Sequence, residues 1–219
     1  MKTKIQAMPK KDFWLGMLSG LLIGLLFMPV LAVAKPELYI RLKIAILPFF
    51  LIGTPLGLAI AHLIGKKIPV IWQLGKFGVT GVLNVLVDFG VLTILTIYLK
   101  KYFAISSTDI LLGFGVLIVT AYSLYKAISF TIANINSYFW NKYWTFEEKN
   151  QKKSEFGQFF VVSIIGFIIN VAVASFVFNY IHPVFQMSPE QWGLIGAAAG
   201  SIIGLVWNFL GYKFLVFKK

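Results

Sequence analysis

Six long apolar stretches run through this chain of 219 residues and restrict what it can fold into. A helix needs about 20 apolar residues to cross the roughly 30 Å of hydrocarbon in a bilayer. Only 13% of the residues are charged, whereas a soluble domain carries about 25%. We therefore expect an all-α, polytopic bundle of about six membrane helices. The predicted spans are residues 13–34, 44–64, 77–99, 110–140, 159–181 and 192–214.

Three of these spans carry further signals. The second contains Pro48 and Pro55 among glycines, which predicts a kink or a break. The fourth is longer than a bilayer requires, so one of its ends should emerge into the interface. In the first span, Gly16, Gly20 and Gly24 recur at every fourth position. That spacing permits close helix packing, although glycines are also common in membrane helices generally.

The basic residues orient the chain. With the N-terminus in the cytoplasm, fourteen lysines fall on the cytoplasmic side and five basic residues fall outside. Cytoplasmic loops carry the excess of Lys and Arg, so both termini are predicted to be cytoplasmic in a multi-pass protein of the cell membrane. The net charge of +12 then indicates contact with anionic membrane lipids and no nucleic acid.

Two charged residues interrupt the spans. Asp88 and Lys126 are the only acidic or basic residues that this assignment places near mid-membrane. A charge at that depth costs about 2.5–3.5 kcal/mol on insertion scales, so it is usually paired, functional or both. Each residue lies near the midpoint of its predicted span, and the two spans are consecutive. We therefore expect them to lie at one depth and to form an ion pair.

The last four spans form two similar halves. The first half opens with GKFGVTGVLN at residues 75–84, and the second opens with GQFFVVSIIG at residues 157–166. They close with YFWNKYWTF at 138–146 and FLGYKFLVF at 209–217, so Lys142 matches Lys213. Two successive helical hairpins enter from the same side, which predicts a parallel repeat. Repeats of this kind place substrate sites at their interface.

The repeat is asymmetric where the charges lie. Ala174 and Ala197 occupy the positions in the second half that correspond to Asp88 and Lys126. The charges are therefore not needed to build such a hairpin, which favours a functional role over a purely structural pair.

These opening and closing segments, above all KFGVTGVLNVLVD at residues 76–88, resemble the GtrA-like family of small membrane proteins. The resemblance covers residues 72–217 and implies four helices. It also implies a function in flipping polyprenyl-phosphate-linked monosaccharides to the outer leaflet for cell-wall or surface-glycan modification. We accordingly divide the chain into an N-terminal two-helix membrane extension, residues 1–68, and a GtrA-like four-helix domain, residues 69–219.

The candidate site residues fall into two groups. The candidates for contact with the sugar-phosphate are Asn84, Asp88, Lys126, Asn136, Asn170 and Asn208. Amides at such places can bind sugar hydroxyls, or they can hold helices together. The candidates for binding the lipid phosphate are Lys76, Lys142 and Lys213. The alternative for these lysines is that they anchor helix ends by snorkelling to the headgroups.

We expect a translocator rather than an enzyme, without a cofactor or metal, because no P-loop, nucleophile motif or metal-binding motif is visible. Its partners would be the polyprenyl-phosphate-linked sugar and membrane lipids. The alternative is a non-catalytic anchor or partner of a polyprenyl-phosphate glycosyltransferase, for which the first two spans, with Gly16, Gly20 and Gly24, would form a docking face. A proton-coupled exporter of small molecules is a third hypothesis. So few helices can hardly enclose a headgroup, which favours a homo-oligomer.

Overall fold

Six α-helices carry the fold in a computed structural model, which describes residues 7–114, 117–148, 154–183 and 189–217. They are α1 Lys10–Ala34, α2 Pro36–Gly65, α3 Pro69–Phe103, α4 Ala121–Trp140, α5 Glu155–Tyr180 and α6 Pro189–Gly211. Two short strands, β1 Ile110–Phe114 and β2 Leu117–Thr120, lie between α3 and α4. The predicted all-α membrane bundle is confirmed, with this small hairpin as an addition.

Five of the helices in the described residues, all but α4, are long and apolar enough to cross a membrane. Large apolar side chains cover their outer faces; Ile44, Phe49 and Ile94 are among the most exposed. Contiguous apolar surface on this scale requires hydrocarbon rather than water around it. The chain is a multi-pass membrane protein.

The prediction of one long span at residues 110–140 is wrong in its first third. β1 pairs antiparallel with β2, and α4 begins only at Ala121, where the Thr120 hydroxyl accepts a hydrogen bond from the Ser123 amide at 3.4 Å. A short apolar run rich in β-branched residues fits a strand as well as a helix. As a consequence, Lys126 lies on the second turn of α4 and not at the midpoint of a span.

α2 is one continuous helix through Pro48 and Pro55. The predicted break is therefore not observed. Hydrocarbon offers no hydrogen bonds to a broken backbone, so a membrane segment keeps its helix around a proline wherever neighbouring groups permit.

The glycines of α1 pack this helix closely against α2, which is one of the two possibilities that their spacing left open. A Cβ atom added to Gly20 would overlap the carbonyl oxygen of Phe50, and one added to Gly16 would lie 2.7 Å from Leu58 Cδ1. Gly24 faces Leu47 in the same way. The glycine face of α1 is thus covered by α2 of the same chain.

The contacts divide the chain into two compact units, Met1–Thr145 and Phe146–Lys219. In the first unit, Ile23 of α1 packs with Leu83 and Leu86 of α3. The second unit is built on α5 and α6 around buried aromatic rings; Phe159 and Tyr212 stack with centroids 4.1 Å apart. The predicted boundary after residue 68 falls between α2 and α3, inside the first unit, and stays a prediction.

The sequence repeat extends to an uncommon backbone feature. α4 and α6 each continue into a π-helical segment, Asn141–Thr145 and Tyr212–Val216. The two segments are related by the same offset that relates Lys142 to Lys213. Because π-helices hold well under 1% of residues in proteins, their equivalent positions indicate that the two hairpins share one structural plan.

The α1–α2 contact yields a stability prediction. We expect Gly20→Ala to lower the free energy of unfolding by about 1–3 kcal/mol, because the added methyl group forces the helices apart. Unfolding in mixed micelles, followed by circular dichroism, measures this loss. Gly81→Ala is the matched control, since a Cβ atom at Gly81 meets nothing within 4 Å. Equal stability of the two variants would contradict the close contact.

Candidate functional site

Asp88 and Lys126 form the ion pair that the sequence predicts. The Lys126 ammonium donates to Asp88 Oδ2. Ser129, one turn further along α4, donates from its hydroxyl to Asp88 Oδ1 at 2.6 Å. Both oxygens of this α3 carboxylate are therefore held by α4, and the two helices are joined by a charge-assisted bridge.

The two partners of the ion pair differ in exposure. The side chain of Asp88 is 15% exposed and that of Lys126 is 39% exposed, while Ser129 is fully buried. The Lys126 ammonium also lies 6.0 Å from the centroid of the Phe89 ring. The carboxylate is thus fixed inside the helix pair, and Lys126 is the more exposed partner.

Two of the predicted amides lie on the same helix pair. Asn84 is one turn before Asp88 on α3, and Asn136 is in the second half of α4. Asn84 Oδ1 and Asn136 Nδ2 are buried, and neither has a hydrogen-bond partner among the described residues. A buried polar atom without a partner costs about 1–3 kcal/mol. Interhelical bonding alone therefore does not account for these two atoms.

The other two amides, Asn170 and Asn208, belong to the second unit. Asn170 Nδ2 donates to the Ser201 hydroxyl at 3.4 Å and links α5 to α6. The side chain of Asn208 fills the space over Gly166, where a Cβ atom would overlap the amide. Both residues contribute to α5–α6 packing, and Asn208 Oδ1 is buried without a hydrogen-bond partner among the described residues. A substrate path that they share with Asp88 and Lys126 stays a prediction.

The three predicted phosphate-binding lysines have unlike surroundings. Lys76 is 2% exposed and Lys142 is 3% exposed; Lys142 donates to the Tyr138 hydroxyl at 3.2 Å. Lys213 is half-buried, with its ammonium 5.6 Å from the ring centroids of both Phe209 and Phe214. A snorkelling lysine keeps its charged group in water or headgroups. That alternative suits Lys213 and does not suit the two buried lysines.

Asp12, on the first turn of α1, was not a candidate in the sequence. Its Oδ1 accepts a hydrogen bond from Trp144 Nε1 at 2.8 Å and lies 3.6 Å from the Lys76 ammonium. All three side chains are buried. The start of α1 is thereby fastened to α3 and to the π-helical segment after α4. The only sign of this contact in the sequence is that Asp12 is a single acidic residue directly after two lysines, at the start of an apolar stretch.

Comparison with known proteins now identifies the family. The family described as GtrA/DPMS, transmembrane domain, matches residues 76–217. This chain belongs to that family. It is also 29% identical over 145 residues to the Uncharacterized membrane protein YngA of Bacillus subtilis (strain 168), which covers 66% of this chain and 78% of YngA. No solved structure matches the chain.

The match to the GtrA/DPMS family confirms the resemblance seen in the sequence, and the family is linked to the handling of polyprenyl-phosphate sugars. The match begins at Lys76, so it includes Asp88, Ser129 and Lys126 and excludes Asp12. Asp12 of α1, which lies outside the match, is thus paired with Lys76, the first residue of the match.

The ion pair yields an energetic prediction. We expect the losses of unfolding free energy caused by Asp88→Asn and Lys126→Met to be non-additive, with a coupling energy of about 0.5–3 kcal/mol in a double-mutant cycle. The reason is that each single change leaves the other residue without its partner. Unfolding of the four proteins in mixed micelles measures the coupling. Lys100→Met, at an exposed position of α3, combined with Asp88→Asn provides the control. Additive losses for Asp88 and Lys126 would show that the pair is not formed in the membrane.

The Asp12 contact yields a second prediction for this site. Asp12→Ala should reduce stability by about 1–3 kcal/mol, because it leaves the buried Trp144 indole without its acceptor and removes a counter-charge from Lys76. Asp12→Asn keeps an acceptor oxygen and should cost less. Glu37→Ala, at an exposed acid on the first turn of α2, is the control. Tryptophan fluorescence during unfolding measures the change, and an unaltered Asp12→Ala protein would refute the contact.

Proposed function

We propose that this protein moves a polyprenyl-phosphate-linked monosaccharide across the cytoplasmic membrane, for modification of the cell wall or of surface glycans. The physical task is to carry a polar headgroup across about 30 Å of hydrocarbon while its chain stays in lipid. The observation that carries the proposal is the unequal ion pair, in which Asp88 is held inside the helices and Lys126 is accessible. Membership of a family linked to polyprenyl-phosphate sugars supports the substrate class.

In the proposed mechanism, Lys126 exchanges Asp88 for the phosphate of the passing lipid. A lysine suits this step because its ammonium acts as a compact point charge for phosphate. Asp88 keeps its hydrogen bond from Ser129 through Oδ1, so the carboxylate retains a partner while Lys126 is engaged with the phosphate.

The unpartnered amide atoms supply the remaining chemistry. Asn84 Oδ1 accepts hydrogen bonds and Asn136 Nδ2 donates them, so together they can pair with sugar hydroxyls, which do both. At the cytoplasmic boundary we propose that Lys213, the least buried of the three predicted phosphate ligands, meets the lipid first. The sequence has no P-loop, so the movement is passive or is coupled to an ion or proton gradient.

A reconstituted flipping assay tests this proposal. In proteoliposomes with a fluorescent polyprenyl-phosphate sugar, we expect Lys126→Ala and Asp88→Ala to slow flipping by about tenfold or more, which corresponds to a loss of about 1.4 kcal/mol. Lys100→Ala, on the same helix as Asp88 but exposed, should flip at the wild-type rate. If folded Lys126→Ala and Asp88→Ala proteins flip normally, the mechanism is wrong.

The alternative is a non-catalytic anchor or partner of a polyprenyl-phosphate glycosyltransferase. The surface suggested for it, Gly16, Gly20 and Gly24, is covered by α2, so such a partner would need another face of the chain. Co-purification with a glycosyltransferase, together with no transport by the isolated protein, would favour this alternative.

A further inference from the structure

A row of polar side chains runs along one side of α3. Its members follow one another at every fourth position, so they share one face of the helix: Lys76, Thr80, Asn84 and Asp88. Lys76 and Thr80, at one end of the row, are buried. Polar residues inside a membrane span are costly and are usually functional. The ion pair accounts only for Asp88, the last residue of the row.

The facing side of α4 and of the π-helical segment after it carries a second row with the same spacing. All of its members are buried, and only the third lacks a polar group: Tyr125, Ser129, Ala133, Ser137, Asn141 and Thr145. At one end, Thr80 Oγ1 lies 3.4 Å from Thr145 Oγ1. At the other end, Ser129 donates to Asp88. The two rows therefore face each other between these contacts, over about 12 Å of α3 at 1.5 Å per residue.

Between the two contacts, both rows hold a buried oxygen without a partner. Asn84 Oδ1 and Asn141 Oδ1 have no hydrogen-bond partner among the described residues. The amide nitrogen of Asn141 is satisfied, because it donates to the carbonyl oxygen and the hydroxyl of Ser137 at 2.9 and 3.2 Å. Buried polar groups that lack a protein partner commonly bind internal water. The facing rows thus offer acceptors that water or another hydroxyl group can satisfy.

The rows end at the buried side chains of Asp12, Lys76 and Trp144, which we call the Asp12 cluster. Lys76 is one turn before Thr80, and its carbonyl oxygen accepts a hydrogen bond from the Thr80 hydroxyl at 3.0 Å. Trp144 is the residue directly before Thr145. The cluster therefore lies directly beyond the contact between the two threonines, and it is held together by an acid from the first turn of α1.

The start of α1 holds the π-helical segment Asn141–Thr145 by a second contact. The Lys11 ammonium donates to the carbonyl oxygen of Tyr143 at 3.3 Å, next to the bond between Asp12 and Trp144. Two consecutive residues of α1 thus hold two consecutive residues of the segment. Both α1 residues precede the family match. Single π-helical turns are frequent at functional sites, and here the N-terminal extension fastens one of them.

The second hairpin has the same backbone ending and no such pair of rows. Thr80 is matched there by Val162, which is apolar. Asn84 is matched by Gly166, which has no side chain. The helices are in direct contact at this level, since a Cβ atom on Gly211 would lie 2.5 Å from Val162 Cγ1. Polar rows are therefore not required to build a hairpin of this plan, which favours a separate role for them.

We propose that the Asp12 cluster is a gate, which closes a path for water between the two rows to the Asp88–Lys126 pair. When Asp12 leaves its partners, water enters from this end of the hairpin, and Asn84 Oδ1 and Asn141 Oδ1 bind it on the way. The gate belongs to the N-terminal extension, because Asp12 lies outside the family match. The ligand of the path is water, so the proposal holds whether or not the protein flips a lipid.

Cysteine accessibility tests the gate, because the chain has no cysteine of its own. The full chain with Asn84→Cys is placed in proteoliposomes and treated with hydroxyethyl methanethiosulfonate, a small neutral reagent for thiolates, and mass spectrometry follows the reaction. We expect a slow reaction, which Asp12→Ala speeds about tenfold, the factor given by about 1.4 kcal/mol of lost closure. Val85→Cys, one residue further and exposed to lipid, should react slowly with or without Asp12→Ala. Thr80→Cys is a second reporter in case Asn84→Cys impairs folding.

Two further variants separate gating from general loosening. Gly20→Ala, predicted to cost a similar amount of stability at the α1–α2 contact, should leave the cysteine at position 84 slow to react. Thr80→Val with Thr145→Val removes two hydroxyls from the path and should slow the reaction again in the Asp12→Ala protein. A fast reaction without Asp12→Ala, no acceleration by Asp12→Ala, or equal acceleration by Gly20→Ala would refute the gate. Full acceleration despite the two valines would refute the path.

Discussion

Hydrocarbon offers no hydrogen-bond or charge partner, and this constraint governs each polar feature of the protein. It accounts for the continuity of α2 through Pro48 and Pro55, because a break would expose backbone groups that nothing could satisfy. It also accounts for Asp88, whose two carboxylate oxygens take their partners from α4. Buried polar atoms without a hydrogen-bond partner among the described residues occur in both hairpins, for example Asn84 Oδ1 and Asn136 Nδ2 in the first and Asn208 Oδ1 in the second. In the proposed function, a sugar headgroup supplies the partners of Asn84 Oδ1 and Asn136 Nδ2.

The sequence predicted those features that depend on one residue standing out from its neighbours. Asp88 and Lys126 are conspicuous because the residues around them are apolar, and the cost of leaving either alone in a membrane makes their pairing a strong inference. The strands Ile110–Phe114 and Leu117–Thr120 were missed, because a short apolar run has no period that separates strand from helix. Asp12 was missed for another reason: its partner Trp144 is 132 residues away, and no local pattern reports a contact between such distant positions.

The glycines also show that a local sequence pattern does not report contacts between distant parts of the chain. The spacing of Gly16, Gly20 and Gly24 permitted a helix contact without deciding it, and the structure shows that contact with α2. Gly53, Gly57 and Gly78 look no different in the sequence, yet a side chain at any of them would meet open space. Whether a glycine closes or widens the gap depends on where the neighbouring helix lies. That distance follows from tertiary packing, which the sequence around a single glycine does not specify.

The repeat provides an internal control on the role of the charges. Both hairpins end in a π-helical segment at equivalent positions. At the offset that relates these two segments, the second hairpin reaches the same backbone ending with Ala197 in place of Lys126. A buried ion pair is seldom more stable than well-packed apolar residues of similar volume, because desolvation offsets the attraction between the charges. Stability alone therefore gives no reason to retain Asp88 and Lys126 in the first hairpin. Departures from local packing rules tend to lie at functional sites, and in this departure the lysine side chain is more exposed than the carboxylate that Ser129 holds.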